Sequence, residues 1–119
     1  MGMGSFSFSQ EERIAKRAEF IDLNLHGTRY YTENFVVILK QNTRDITRLG
    51  ITVSRRVGNS VRRNRIKRSI REFFRLSKQR IPKGYDIMII ALGKSNRLNF
   101  SKVQEELGGL LLENDALFS

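Results

Sequence analysis

The sequence predicts one α/β layer sandwich whose elements follow the order α-β-β-(β)-α-β-α. Residues 49–54 alternate between apolar and small or polar side chains, which is the period-2 pattern of a half-buried strand. Residues 85–92 are apolar apart from Asp86, which predicts a strand in the centre of the sheet. A helix is predicted between them, so the two strands are candidates for a parallel pair, either adjacent or separated by one strand.

Composition limits the class of protein. The 119 residues allow one domain with its own core, and we expect that domain to span residues 1–119, with residues 1–8 flexible. A net charge of +10 with 39% hydrophobic residues indicates a folded basic protein rather than a disordered polycation. The absence of cysteine excludes disulfides and thiolate metal sites. The sequence has neither an apolar run of about 20 residues nor a signal-peptide pattern, so we expect a cytoplasmic protein without a membrane segment.

The first helix is predicted to begin at a capping box, with Ser9 as the N-cap and Glu12 as the third helical residue. It is expected to end at His26-Gly27, where histidine suits the helix dipole better than it suits catalysis. Apolar residues at helical spacing predict a core-facing stripe of Ile14, Ala18, Ile21 and Leu25.

The opposite face of this helix places an aromatic ring among cations. On a wheel of about 100° per residue, one side of the helix contains Arg13, Lys16, Arg17, Phe20 and Asn24. Two interpretations remain open at this point. Phe20 either packs beneath a neighbouring loop or stacks on an unpaired base beside arginines that neutralise phosphates.

The other elements are predicted from apolar patterns and turn residues. Residues 34–40 are predicted to form a strand that is either covered on both faces or bent, followed by a hairpin loop at 41–47 that leads into the 48–54 strand. Residues 82–84 predict a turn. The last helix is predicted to start at Asn99 or Ser101, with Gly108-Gly109 weakening it by roughly 2 kcal/mol relative to alanines. Its predicted core positions are Val103, Leu107, Leu110 and Leu111.

The most informative segment is a basic helix of roughly 18 residues, capped by Asn59 or Ser60. Residues 55–75 contain nine Lys or Arg and one acid, Glu72. A solvated helix normally carries acids for i,i+4 pairing, so this density of like charge predicts a polyanion-binding face, with nucleic acid as the partner. On the wheel, the apolar stripe Ile66, Ile70, Phe73 and Phe74 faces away from Asn64, Arg65, Lys67, Arg68, Arg71 and Arg75.

The sequence carries no recognisable catalytic set. One histidine and no cysteine leave no obvious pairing of nucleophile and base. The acids Glu11-Glu12 and Glu105-Glu106 lie near predicted helix starts and are predicted to be solvated. Neither GxxxxGK[ST] nor GxGxxG is present, so no nucleotide cofactor is expected. The residues alone therefore predict a basic single-domain RNA or DNA binder that is not a free-standing enzyme.

The segment 54–68, SRRVGNSVRRNRIKR, followed by Ile70-Arg71-Glu72-Phe73, closely resembles the signature of the bacterial ribonuclease P protein subunit. Within it, Arg63-Asn64-Arg65 resembles the RNR motif of that family. The likeness extends to Glu19-Phe20, His26-Gly27-Thr28, Arg48-Leu49-Gly50 and the turn and strand at 83–87. The resemblance implies an α+β fold, a two-layer αβββαβα sandwich with a mixed four-stranded sheet. It also implies a left-handed βαβ crossover, an exception to the usual right-handed rule.

The resemblance further implies a role in 5′ maturation of precursor tRNA, with endonucleolytic removal of the leader. In that family a catalytic RNA performs phosphodiester hydrolysis with Mg2+ held by the RNA, and the isolated protein is not expected to be catalytic. The implied partners are ribonuclease P RNA, in a 1:1 complex with a protein monomer, and precursor tRNA.

Two sets of site residues follow from the same resemblance. The catalytic RNA is expected to contact Arg55, Arg56, Asn59, Arg62, Arg63, Asn64, Arg65, Lys67, Arg68 and Arg71. The single-stranded 5′ leader is expected to contact Arg13, Arg17, Phe20 and Ser54, in a cleft between the first helix and the sheet.

The chain departs from the family pattern at two positions. Many relatives carry a second aromatic four residues after the first, where this chain has Asn24, and a basic residue after the central strand, where it has Leu92. Arg55, Tyr30 and Tyr31 are therefore candidates for serving the leader cleft instead.

Two other functional classes remain as alternatives. A ribosomal protein or a general RNA chaperone would use the same basic helix to bind folded RNA without a substrate role. A DNA-binding regulator is disfavoured, because a basic helix of about five turns lacks the short partner helix across a tight turn that such proteins use.

Overall fold

The computed structural model describes residues 12–14, 16–93 and 98–118, and this part of the chain contains three α-helices and four β-strands. They follow the predicted order αβββαβα. Their bounds are α1 Arg17–His26, β1 Thr28–Tyr31, β2 Phe35–Gln41, β3 Arg48–Val53, α2 Ser60–Ser77, β4 Tyr85–Ala91 and α3 Phe100–Leu111. None of the described helices is long and apolar enough to cross a membrane. The predicted flexible segment, residues 1–8, lies outside the described residues.

The four strands form one mixed sheet in the order β1-β2-β4-β3. β4 is central, as its apolar sequence predicts, and it runs parallel to β3 and antiparallel to β2. The parallel pairing of β3 and β4 as neighbours is one of the two predicted arrangements. The predicted hairpin between β2 and β3 is wrong, because β4 lies between those strands and buries its apolar residues there. The left-handed crossover between β3 and β4 stays a prediction.

Each face of the sheet carries a cluster of buried apolar residues. One face packs against α2 and α3 and forms the main core, which includes Phe35, Val37, Ile87 and Ile89. The other face carries a smaller cluster of Ile14, Leu23, Val36, Ile38 and Met88. β2 contributes to both clusters, which confirms that its continuous apolar run is covered on two sides.

The start and the orientation of α1 differ from the prediction, although the helix ends at His26 as expected. It begins at Arg17, and the preceding residues run along the edge of β3, where the Ile14 N–H donates to the Leu49 carbonyl at 2.9 Å. Ile14 is therefore buried outside the helix, while Ile21 and Leu25 are 48% and 72% exposed. The predicted stripe is wrong because it treats Ile14 as helical, whereas the backbone at Ile14 pairs with β3. Ala18 is also exposed, and the buried residue of α1 is Leu23.

The predicted capping box is not part of α1. Ser9 and Glu11 lie outside the described residues, and Glu12 precedes the helix. The Glu12 carboxylate lies 3.0 Å from the Lys78 ammonium just after α2, with both side chains mostly buried. Glu12 is therefore an ion-pair residue between two segments rather than a solvated helix-start acid.

A buried network of charges attaches α1 to the sheet. The Arg48 guanidinium donates through Nε and Nη2 to the two carboxylate oxygens of Asp86, at 2.9 and 2.8 Å. Its Nη1 lies 2.7 Å from Oε2 of Glu19 on α1. Arg48 and Asp86 are register partners in the parallel pair, so the network joins β3, β4 and α1 at one end of the sheet.

This network sets the protonation of its members. Burial raises the pKa of Asp86, but hydrogen bonds from Arg48 and Asn42 outweigh burial and hold that pKa below its usual value. The hydrogen bond to Asp86 also raises the pKa of Arg48. The arginine is therefore charged at all relevant pH values, and Asp86 is ionised at neutral pH.

The Asp86→Asn substitution should destabilise the fold by about 3 kcal/mol at pH 7, because it leaves the buried Arg48 charge incompletely paired. Because the folded-state pKa of Asp86 is lowered, its contribution is complete above the unfolded value of about 4 and is lost as pH falls through the folded value. In urea unfolding, D86N should therefore lose less stability than wild type between pH 7 and pH 3.

The control for this prediction is Asp45→Asn, at an exposed carboxylate in the loop between β2 and β3, which should change stability little. An equal effect of both substitutions would contradict the role of the network.

Both later helices begin as predicted. The Asn59 side chain accepts a hydrogen bond from the Arg62 N–H at 3.0 Å, and the Asn99 side chain accepts one from the Lys102 N–H at 2.9 Å. α2 has the expected 18 residues, and the burial of Ile66, Ile70, Phe73 and Phe74 confirms its core stripe. In α3, Val103, Leu107 and Leu111 are buried and Leu110 is half-buried. α3 continues through Gly108, which is buried, and Gly109, which is exposed.

Glu106 is not the solvated acid that the sequence predicts. Its Oε1 accepts hydrogen bonds from the Thr32 hydroxyl at 2.7 Å and the Asn34 N–H at 2.8 Å, and its Oε2 accepts one from the Asn34 amide. Asn34 is fully buried, and its backbone carbonyl accepts a hydrogen bond from the Leu92 N–H at 2.8 Å. The carboxylate therefore joins α3 to the turn between β1 and β2 and to the end of β4.

Glu106→Ala should cost about 2 kcal/mol of unfolding free energy, because it removes the acceptor of two donors on buried Asn34. Glu105→Ala is the matched control, since the neighbouring carboxylate is mostly exposed and contacts Lys102. Chemical unfolding of the two variants should separate them clearly. Similar stabilities would show that the Glu106 contacts contribute little.

Candidate nucleic-acid interface

α2 presents its cations on the side opposite the core. Arg65, Arg68 and Arg71 are exposed, Lys67 is half-buried, and no acid among the described residues forms an ion pair with any of them. The burial of the apolar stripe fixes the direction of these side chains. The result is a surface of uncompensated positive charge, here called the α2 basic face, made of Asn64, Arg65, Lys67, Arg68 and Arg71.

Arg75 is the exception on this helix. Its guanidinium pairs with Glu72, one turn earlier. The hydrogen bond lowers the pKa of Glu72 and raises that of Arg75. The only acid in residues 55–75 therefore neutralises one cation at the C-terminal part of α2 and leaves the N-terminal part positive.

A tight connection places two further arginines beside the N-terminus of α2. Arg55–Val57 forms one 3-10 turn, in which the Ser54 hydroxyl accepts from the Arg56 N–H at 3.2 Å. Gly58 follows with φ of +148°, a conformation that favours glycine. Arg55 and Arg56 are both exposed. The turn therefore adds two cations where the helix dipole already favours anions.

The residues predicted to bind the catalytic RNA extend from the 3-10 turn along about three turns of α2. Arg62 and Arg63 lie outside the α2 basic face, and their Nε atoms are buried. Arg55, Arg56, Asn59, Asn64, Arg65, Arg68 and Arg71 are exposed, and Arg62, Arg63 and Lys67 are half-buried.

The second predicted surface lies on the sheet face that carries α1. Strand alternation places Gly50, Thr52 and Ser54 on this face along β3, and Ile90 and Leu92 on the same face along β4. α1 covers one end of the face, above Arg48 and Asp86. At the other end Tyr31 and Thr52 are exposed while Ile90 and Leu92 are half-buried, and these four residues define what we name the open sheet face.

Phe20 lies at the edge of the open sheet face. Its half-buried ring packs against the smaller cluster, directly above Gly50. The prediction that Phe20 lies opposite the buried side of α1 is wrong, because α1 turns this residue toward the sheet. Arg17 is exposed at the first position of α1.

Of the remaining two leader-binding candidates, Ser54 lies on the α1 side of the sheet, whereas Arg13 pairs with Leu49, whose side chain is in the main core on the other side. Arg13, in the segment before α1, is exposed, and Ser54, just after β3, is half-buried. The contact of Phe20 above Gly50 shows that the ring packs within the protein, while stacking on a base stays a prediction. Of the tyrosines named as candidates for the leader cleft, Tyr30 packs against the main core, whereas Tyr31 is 68% exposed.

Gly50→Ala should displace Phe20, because an added Cβ would lie 2.7 Å from Cε1 of the ring and 3.3 Å from Cβ of Ile14. We expect a loss of about 1–3 kcal/mol in unfolding free energy, as for other overpacked sites. Gly109→Ala is the control, since nothing lies within 4 Å of its added Cβ and the helix should gain about 1 kcal/mol. Urea unfolding and the NMR shifts of the Phe20 ring measure both effects. An unmoved ring in G50A would contradict the close packing.

Three interactions were missed by reasoning from the sequence. They are the Glu19–Arg48–Asp86 network, the contacts of Glu106 with Asn34, and a hydrogen bond from Arg29 to Asn24. Asp86 did carry a signal, because a single acid inside an apolar strand requires a partner. The other two interactions join side chains whose pairing depends on the folded chain, and nothing in the sequence pattern indicates them.

Comparisons with known proteins agree on one family. Residues 8–114 match the family described as Ribonuclease P. The ribonuclease P protein component of Syntrophus aciditrophicus is 44% identical over 109 residues, which cover 92% of each chain. That of Desulforapulum autotrophicum is 47% identical over 108 residues, which cover 91% of this chain and 92% of the relative.

Solved structures give the same result. The RNase P protein of Staphylococcus aureus superposes with a TM-score of 0.78 at 37% identity, covering 86% of this chain and 93% of the other. The RNase P protein from Thermotoga maritima superposes with a TM-score of 0.78 at 40% identity, covering 87% of this chain and 98% of the other. The fold and the sequence of the present chain are thus similar to those of the same group of proteins.

Proposed function

Because this chain belongs to the ribonuclease P protein family, it is an RNA-binding subunit of an endoribonuclease that acts in tRNA 5′ processing, and we propose how its surfaces serve that role. It binds the catalytic RNA and the 5′ leader of precursor tRNA and assists removal of the leader. The observation that carries the proposal is the α2 basic face, whose cations have no acidic partner in the described part of the chain while the opposite side of the helix is buried.

The protein and the RNA have different roles in the complex. The RNA performs phosphodiester hydrolysis with Mg2+, and the protein binds and orients. Over residues 12–14, 16–93 and 98–118, no three or more His, Asp or Glu side chains gather into a group that fits a metal ion. The complex contains one protein monomer and one RNA, and it acts in the cytoplasm.

The α2 basic face supplies the contacts to the catalytic RNA. Guanidinium groups match phosphate oxygens in a fork geometry, and their charge persists at every physiological pH. Phosphate contacts fix position without reading sequence, which suits recognition of a folded RNA by its shape. The arginines of the 3-10 turn, Arg55 and Arg56, extend this surface toward the sheet.

The α1 side of the sheet, together with Arg13 at the edge of β3, supplies the contacts to the leader. Arg13 and Arg17 neutralise phosphates, the Phe20 ring offers a face or edge to a base, and the Ser54 hydroxyl donates or accepts a hydrogen bond. The single-stranded leader suits such a surface, because unpaired bases stack on aromatic rings and cations track the backbone.

Arg65→Ala should weaken binding to ribonuclease P RNA and lower the slope of log K against log salt by about one unit, the value for one lost phosphate contact. Arg80→Ala removes an exposed cation beyond the end of α2 and should leave the slope unchanged. Filter binding over a range of salt concentrations measures both. An unchanged slope for R65A would refute the contact.

Reconstitution with a bacterial ribonuclease P RNA at low Mg2+ tests the proposed function itself. The wild-type protein should stimulate cleavage of precursor tRNA under these conditions. No stimulation would favour the alternative in which the chain is a general RNA chaperone.

Phe20→Ala, in the same reconstituted complex, should cost roughly 1–3 kcal/mol in binding of precursor that carries a leader, with mature tRNA little affected. The loss reflects the stacking that the ring offers to an unpaired base. Leu25→Ala, at an exposed position of the same helix, is the control. Equal losses for precursor and mature tRNA would make Phe20 a packing residue.

A further inference from the structure

We propose that Arg29, held in place by Asn24, is a further leader-binding group, on the edge strand β1 across the sheet from Phe20. The inference rests on the proposed function, because it adds a contact to the leader surface. Nothing in the sequence pattern singles out Arg29, and the sheet register together with one hydrogen bond assigns this role to it.

The register of the sheet places Arg29 on the α1 side. Arg29 pairs with Ile38 across β1 and β2, and Ile38 packs in the smaller cluster with Leu23. Cross-strand partners project from the same face of a sheet, so Arg29 projects on that face as well. Tyr31, two residues later, shares the face and is 68% exposed.

Two parallel rows of cross-strand partners cross this face. The row beneath α1 runs from Arg29 through Ile38 and Met88 to Gly50, and Phe20 covers its far end. The next row runs from Tyr31 through Val36 and Ile90 to Thr52, and it contains three residues of the open sheet face. Phe20 and Arg29 therefore lie at the two ends of one row, beside a second row that is open to a ligand.

Asn24 fixes the guanidinium of Arg29. The Asn24 Oδ1 accepts a hydrogen bond from Nη2 of Arg29 at 2.8 Å, while the Asn24 Nδ2 donates to the Phe20 carbonyl at 3.1 Å. Both polar atoms of the amide are therefore used, one on the helix and one on the strand. This hydrogen bond positions the arginine, and because Asn24 is neutral it does not compensate the positive charge.

The charge of Arg29 remains available to a ligand. Arg29 is exposed, and no carboxylate in the described residues pairs with it. Arg48, on the same face of the sheet, is instead buried and paired with two acids. Arg48 is thus a structural cation, and Arg29 is a positioned cation with further donors for a phosphate.

The distance between Phe20 and Arg29 suits a single nucleic-acid strand that passes over the second row. α1 rises about 6 Å between Phe20 and Asn24, and the Arg29 guanidinium lies one hydrogen bond beyond Asn24. The row that joins Phe20 and Arg29 crosses four strands, so its two ends are about 14 Å apart at the level of the backbone. A stacked strand rises about 3.4 Å per nucleotide, so the two groups would contact nucleotides about four apart. Ile90 and Leu92 offer a partly apolar floor to the bases between them.

The test compares precursor that carries a leader with mature tRNA, using holoenzyme reconstituted from the full chain and ribonuclease P RNA. Arg29→Gln should weaken binding of precursor with an eight-nucleotide leader about tenfold and lower its salt slope by about 0.7, without changing mature tRNA binding. Arg44→Gln removes an exposed cation of the loop between β2 and β3 and should change neither quantity.

Two further variants distinguish a direct contact between Arg29 and the leader from a structural role of Arg29 between α1 and β1. Arg29→Lys keeps the charge and should retain the salt slope. Asn24→Ala removes the support but keeps the charge, so it should lower leader binding by less than R29Q and leave the slope unchanged. If Arg29 only holds α1 against β1, R29Q and N24A will lower leader binding equally and neither will change the salt slope. That result would overturn the inference.

The failure of this inference is distinct from the failure of the proposed function. Unchanged leader binding in R29Q, with a loss in F20A, would overturn the role of Arg29 and leave the proposed function intact. If the leader does not affect binding by the wild-type holoenzyme, both the inference and the proposed leader surface fail.

Discussion

The burial of the apolar stripe of α2 is the interaction on which the α2 basic face depends. Ile66, Ile70, Phe73 and Phe74 are at most 3% exposed, and each such side chain contributes about 1.5–3 kcal/mol when buried. This burial offsets the mutual repulsion of the arginines on the same helix. It also fixes the rotation of the helix, so the cations on the other side point outward. A helix with the same charges and no buried stripe would have no defined basic face.

The second surface depends on a different kind of contact. α1 is short and buries only Leu23 fully, so apolar packing alone fixes it weakly. The Glu19–Arg48–Asp86 network joins it to β3 and β4, and an ion pair between Asp22 and Lys40 joins it to β2. These polar contacts hold one side of α1 against the sheet. Phe20, next to Glu19 on the same helix, is thereby held above Gly50 at the edge of the open sheet face.

The two surfaces share β3 and the turn that follows it. β3 carries Gly50 beneath Phe20, and the chain then passes through Ser54 and the 3-10 turn into α2. Gly93, after β4, packs so closely on this turn that an added Cβ would lie 2.4 Å from Cβ of Arg56. One short segment therefore connects the proposed leader surface with the α2 basic face, and its position is fixed by the parallel pairing of β3 and β4.

The sequence by itself determined the order of elements apart from β1, the central place of β4, the caps at Asn59 and Asn99 and the two sides of α2. Each of these follows from contacts between residues close in sequence or from strong hydrophobic periodicity. It did not determine the start of α1, the strand order that separates β2 from β3, or the partners of Arg48, Glu106 and Arg29. Only the tertiary structure decided these, because edge pairing, strand order and buried hydrogen bonds depend on residues that meet only when the sheet has formed.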